Sequence, residues 1–87
     1  MVEEIKKMLK EKKDKVIIGT DNTISELKLG KLAKVFVASN CNSTTKDDVA
    51  KYAKLSSTEV VQLEVSNEEL GVACRKPFFI SVIGIRK

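Results

Sequence analysis

The sequence predicts an α/β fold, a three-layer αβα sandwich with a four-stranded mixed sheet and helices on both faces. Helix-like and strand-like patterns alternate along the chain in the order αβαβαβαβ. The strand-like runs, such as "KVII" and "AKVFVA", are too apolar to keep one face in water. Alternation at this spacing argues for helices on both faces of a largely parallel or mixed sheet.

The first helix is expected over residues 2–13, with Val2, Ile5, Met8 and Leu9 at helical spacing and charge elsewhere. "KVII" then forms a short buried strand ended by Gly19. Helix 2 follows at once. Thr20 is its expected N-cap, Asp21 suits the positive helix end, and Ile24 and Leu27 face inward. Gly30 stands where a left-handed terminating residue belongs, and "AKVFVA" is strand 2. After the polar loop "SNCNSTT", the pair Thr45 and Asp48 resembles a capping box for helix 3, with Val49, Tyr52, Ala53 and Leu55 inward. "EVVQLEV" gives strand 3, with Val61, Leu63 and Val65 alternating with polar neighbours. A clearer capping box, Ser66 to Glu69, opens a short helix 4 through Leu70 and Ala73. "RKPFF" breaks it, and "ISVIGI" is the last strand.

Composition narrows the function. Eighty-seven residues, 43% hydrophobic and 32% charged, suit one globular domain spanning 1–87 with a modest core. A net charge of +4 suits a polyanionic partner such as nucleic acid, although plain soluble domains share it. Histidine is absent, which removes the usual general base and the commonest metal ligand. Cys41 and Cys74 form no CxxC pair, so buried, reduced thiols are expected rather than a metal site or a disulfide scaffold. No catalytic set, metal site or cofactor is expected. The N-terminal "MVEEIKKMLKEKKDK" has no signal-like apolar core and no stretch could span a bilayer, so a soluble, cytoplasmic protein is expected.

Several features could hold a ligand. Strand, glycine and helix N-terminus at Gly19, Thr20 and Asn22 make an anion-binding device, because unpaired N–H groups and the helix dipole point outward there. A tight turn explains Gly19 as well, and Asp21 opposes an anion directly in front of it. Asn40, just past strand 2, offers an amide that both donates and accepts, as a base edge requires; a turn-forming asparagine is the plainer reading. Arg75 and Lys76 adjoin Phe78 and Phe79, a pairing that suits unstacked RNA bases. The plainer alternative is a helix end followed by a core strand, with at least one of the phenylalanines buried. Lys28, Lys31 and Lys34 cluster near helix 2 with few acids among them, as phosphate contacts would. The lysines at 6, 7, 10, 12, 13 and 15 are interspersed with acids and read as a solvated face.

"IIGTDNTISELKLGKLAKVFVASNC", then "YAKL", then "NEELGVACRKPF" closely resemble the ribosomal protein thirty-e family of archaea and eukaryotes. That family lies within the kink-turn-binding superfamily of ribosomal protein seven-Ae, and the resemblance runs from about Lys15 to Ile85. It implies an αβα fold that binds the sharply bent internal loop of a kink-turn in ribosomal RNA, as part of the ribosome and as a monomer when free. Carried over by position, Gly19, Thr20, Asp21 and Asn22 would meet the RNA at the start of helix 2, and Asn40 would contact a base or backbone. Phe78 and Ile80 would offer an apolar surface to a flipped-out nucleotide, and Lys28, Lys31, Arg75 and Lys76 would add charge. Two positions depart from the family pattern: Asp21, where a basic or amide residue is frequent, and Arg75, where "ELGxxxGK" has glycine. A non-ribosomal kink-turn protein and a scaffold without RNA binding are the alternatives.

Overall fold

The computed structural model describes residues 2–87, with side chains from residue 3 onward. Its elements are α1 (Val2–Glu11), β1 (Val16–Ile18), α2 (Thr20–Lys28), β2 (Leu32–Val37), α3 (Ser43–Ser56), β3 (Glu59–Gln62), α4 (Asn67–Ala73) and β4 (Val82–Arg86). The sheet order is β1-β4-β2-β3, with β2 and β3 parallel and β4 antiparallel to both its neighbours. Four helices and a four-stranded mixed sheet thus form the expected α/β sandwich.

Alternation along the strands divides the core. Phe36, Ile83 and Ile85 face α1 and α4, where they pack with Ile5, Leu70 and Cys74. Val35, Val37 and Val82 face α2 and α3, against Leu27, Val49 and Ala53. β4, paired on both edges and covered on both faces, is buried from Val82 to Ile85, which is why it reads as a continuous apolar run. A register shift between Leu32 and Lys34 turns Leu32 onto the α2/α3 face alongside Val35, where strict alternation would not put it. Phe36 is the largest fully buried side chain, and its burial contributes roughly 2–3 kcal/mol.

Several boundaries differ from the sequence expectation. α1 stops at Glu11 rather than 13, and the chain tightens into a 3₁₀ turn at Lys13–Lys15; after Leu9 no apolar residue continues the buried stripe. The side chain of Val2, expected inward, lies outside the described residues. α2 is capped by Gly19, not Thr20: the Gly19 carbonyl accepts from the Thr23 N–H at 3.1 Å, and no side chain takes part. α3 is capped by Asn42, whose Oδ1 accepts from the Thr44 N–H at 2.7 Å; the expected Thr45–Asp48 box lies inside the helix. Leu55 is 76% exposed, because it follows Ala53 by two positions and so sits off the inward stripe. The β3 ladder ends at Gln62, yet the chain keeps alongside β2, with the Leu63 N–H donating to Val37 O at 2.8 Å. Ser66 caps α4 as expected, accepting from the Glu69 N–H at 3.2 Å. Among the described residues, no helix is long and apolar enough to cross a membrane.

Candidate nucleic-acid interface

One end of the sheet gathers the C-terminal ends of β1, β2 and β3 and the start of β4. Gly19 opens it. Its backbone, at φ 110° and ψ 146°, is one that residues with a Cβ rarely adopt. The Gly19 N–H donates to Val82 O at 3.2 Å, so this amide is occupied rather than part of an anion-binding platform. Among the described residues, nothing accepts from the N–H groups of Thr20, Asp21 and Asn22, the first turn of α2. The exposed side chains of Asp21 and Asn22 flank those amides.

The next segment is fastened residue by residue. The Ala38 N–H donates to Ser81 O at 2.8 Å, and the Ser39 N–H donates to Val65 O at 2.9 Å. Asn40 then bridges to α4: its Nδ2 donates to Asn67 Oδ1 at 3.1 Å, and its Oδ1 accepts from the Asn67 N–H at 2.8 Å. Asn67 in turn accepts, through its carbonyl, from the Ile80 N–H at 3.1 Å. Asn40, Asn67 and the chain entering β4 are therefore tied together, while Asn40, which is exposed, keeps one amide N–H that no acceptor among the described residues takes. Lys46 Nζ donates to Ser39 O at 3.1 Å, placing a cation beside Asn40.

Gly71 holds the same unit from below. A Cβ there would overlap the Phe78 carbonyl oxygen and would come within 3.3 Å of its carbon. α4 can therefore lie directly on the backbone of residues 78 and 79. Pressed outward in this way, Phe78 is 52% and Phe79 67% exposed, so neither is the core residue expected of at least one of them. Ile80 is 1% exposed and packs with Ile83 and Leu70; it anchors the loop and has no surface to offer a base.

The structure brings together Gly19, Thr20, Asp21, Asn22, Asn40 and Phe78, and separates the lysines. Lys28 stands at the last turn of α2, its ammonium 5.0 Å from the centre of the Tyr52 ring. Lys31 lies at the opposite end of the sheet, where its carbonyl accepts from the Lys87 N–H at 3.1 Å. Lys34 faces away from both, paired with Glu4 at 3.0 Å, and that hydrogen bond raises its pKa. Lys28 and Lys31 precede β2 and Lys34 is its third residue, so the strand carries Asn40 away from all three. Arg75 and Lys76 fall on the α1 side of α4, not at the Asn40 end.

Sequence patterns do not mark Asn67 or Lys46 as site residues. Asn67 sits inside a capping pattern, and nothing in the chain signals its pairing with Asn40 across 27 positions. Cys41 and Cys74 are free and buried, and burial pushes both thiols above the ordinary cysteine value.

Comparison with known proteins places these features in a family. The profile of the ribosomal protein L7Ae/L30e/S12e/Gadd45 family matches residues 3–87. The chain is 45% identical over 71 residues to the large ribosomal subunit protein eL30 of Sulfurisphaera tokodaii, covering 82% of this chain and 67% of that one. It is 43% identical over 82 residues to the eL30 of Saccharolobus solfataricus, covering 94% and 74%. Among solved structures, a 15.5 kD RNA-binding protein of Giardia lamblia superposes with a TM-score of 0.80 at 17% identity, covering 99% of this chain and 70% of that one. At that identity the likeness speaks for the fold.

Proposed function

The chain belongs to the ribosomal protein L7Ae/L30e/S12e/Gadd45 family, and on that premise we propose that it is an RNA-binding component of the large ribosomal subunit that recognises a kink-turn in ribosomal RNA. Its relatives are large ribosomal subunit proteins, which supports a structural rather than an enzymatic role, carried out with the ribosome in the cytoplasm. The whole of 1–87 serves as the one RNA-binding domain, a monomer when free.

The observation that carries this reading is the convergence at one sheet end of unpaired helix amides, a hydrogen-bonded asparagine pair and exposed aromatic rings. A bent RNA displays bases that a straight duplex hides, and each part answers one need. The amides of Thr20, Asp21 and Asn22 meet acceptors on the RNA backbone or base edges. The Asp21 carboxylate, which repels phosphate, accepts from the exocyclic amines of bases, so this turn reads base edges more than phosphates. Asn40, already oriented by Asn67, contributes its remaining N–H. Phe78 offers a face to a flipped-out base, with Ile80 holding the loop beneath it. Lys46 supplies phosphate charge at this end, and Lys28 and Lys31 do so only for RNA that reaches past the helix.

Titration onto a kink-turn RNA and a straight duplex of matched length, each at two salt concentrations, tests the proposal. The kink-turn should be preferred, and the preference should survive the higher salt. Equal, salt-sensitive binding to both would mean that net charge alone is responsible, and would overturn it.

A further inference from the structure

α1 and α4 lie side by side on one face of the sheet and leave an open groove of about 760 Å³ between them. Lys6, Lys10 and Lys13 line it from the α1 side, and Arg75 and Lys76 close it from α4, over an aliphatic floor that includes Leu9 and Val72. None of its lining side chains is acidic. Glu4, on α1, is paired instead with Lys34 on the neighbouring strand. Among the described residues, no carboxylate pairs with any of the five cations. Lys6 and Lys10, one turn apart on α1, repel each other, which the fold itself does not require. Val72 is 72% exposed on the floor, where an aliphatic surface between cations suits sugar and base edges as well as phosphate.

The sequence alone reads the α1 lysines as a solvated face, since acids alternate with them. Folding leaves the groove's lining without an acid and adds Arg75 and Lys76 from about 60 residues further along the chain. We infer that this groove is a second RNA-docking surface, which takes the phosphate backbone of a strand continuing beyond the kink-turn. The inference rests on the RNA-binding reading above, but it uses a separate set of side chains. The protein would then hold two RNA segments at a fixed angle, one at the Asn40 end and one along α1.

The test compares two kink-turn RNAs, one with stems trimmed close to the bend and one with a stem extended past the 30 Å length of the protein. Native protein should bind the long RNA more tightly than the short one. Replacing Lys6, Lys10 and Lys13 together by Glu should remove that advantage, weakening the long RNA about tenfold or more while leaving the short one unchanged. The slope of log K against log[salt] on the long RNA should fall by roughly two to three, about 0.9 for each phosphate that is no longer neutralised. A matched triple, Lys7→Glu with Lys12→Glu and Lys15→Glu, changes net charge equally outside the groove and should cost much less. Equal losses from both triples would reduce the effect to net charge and overturn the inference. Loss on the short RNA as well would merge the groove with the Asn40 site and overturn it too. Unchanged binding by either triple would also overturn it and leave the groove to an acidic protein. Failure of the native protein to prefer either kink-turn RNA over duplex would instead bring down the functional proposal. All six positions are exposed, and the Lys→Gln triple keeps the test valid should charge reversal disturb α1.

Discussion

The two ends of the sheet are closed by different means. At the Asn40 end, consecutive residues 38, 39 and 40 are each fastened to a different neighbour, yet aromatic rings and helix amides remain open to solvent. At the Lys31 end, the polar groups are spent on one another. Arg86 donates to Glu26 at 3.0 Å and to the Asp14 carbonyl at 3.2 Å, and Lys31 O accepts from Lys87. Both ends are held by hydrogen bonds, and the first also carries helix N–H groups without an acceptor among the described residues and exposed aromatic rings. A surface that is fixed in shape and still short of partners is what recognition of a bent RNA requires.

The sharpest way to break that contrast is Gly71→Ala. A methyl group cannot share space with the Phe78 carbonyl, so either α4 lifts or residues 76–80 shift, at a cost of about 3 kcal/mol. Urea unfolding should show the loss as a lower midpoint, and kink-turn binding should fall with it. Unfolding at the native midpoint would mean that the loop is loosely held and that its rings are not pre-positioned.

A smaller effect sharpens the comparison directly. Phe78→Ala should weaken kink-turn binding by about 1–3 kcal/mol, the range for losing one stacked base, with little change in thermal stability because the ring is half exposed. Lys31→Ala, at the other end, should change affinity severalfold at most and mainly through the salt dependence. Titration of both variants under one buffer decides it. Larger loss from Lys31 would move the binding surface to the wrong end of the sheet.

Sequence carried the layers well and the site unevenly. Period-2 and period-3.6 patterns are local, so the order of elements, the Ser66 cap and most inward-facing residues were legible. Gly30 was legible as a helix stop as well, since its backbone is left-handed at φ 69°. Caps that depend on which oxygen happens to lie nearer were not, hence Gly19 for Thr20 and Asn42 for Thr45. The separation of the lysines from the Asn40 end was not legible, because it depends on where elements lie: α2 carries Lys28 a helix length from Gly19, and Lys34, in β2, pairs with Glu4 of α1. Ile80, expected at the surface, is buried, and both phenylalanines, at least one of them expected in the core, are exposed, for a tertiary reason. Gly71 lets α4 press on the loop, which turns both rings out and the isoleucine in. Nothing between residues 76 and 81 encodes that contact.

The smallest expected effect concerns the ends of two helices. α2 finishes with paired bonds, Gly30 N–H to Leu27 O at 3.0 Å and Lys31 N–H to Glu26 O at 3.2 Å. α4 finishes the same way, Arg75 N–H to Val72 O at 3.0 Å and Lys76 N–H to Gly71 O at 3.0 Å. Both geometries need a left-handed residue, and α4 puts Arg75 there at φ 57° where α2 has glycine. An L-residue in that conformation costs about 1 kcal/mol or more, and the extra freedom glycine gains in the unfolded chain returns part of it. Arg75→Gly should therefore stabilise the fold by about 0.5–1 kcal/mol, raising Tm by about 4 °C for a chain of this length. The same change removes one of the five cations of the α1/α4 groove, so the more stable variant should bind the long-stemmed RNA less well than native. A rise in Tm with unchanged affinity for that RNA would leave the arginine's strain without a use and would remove Arg75 from the groove's binding set.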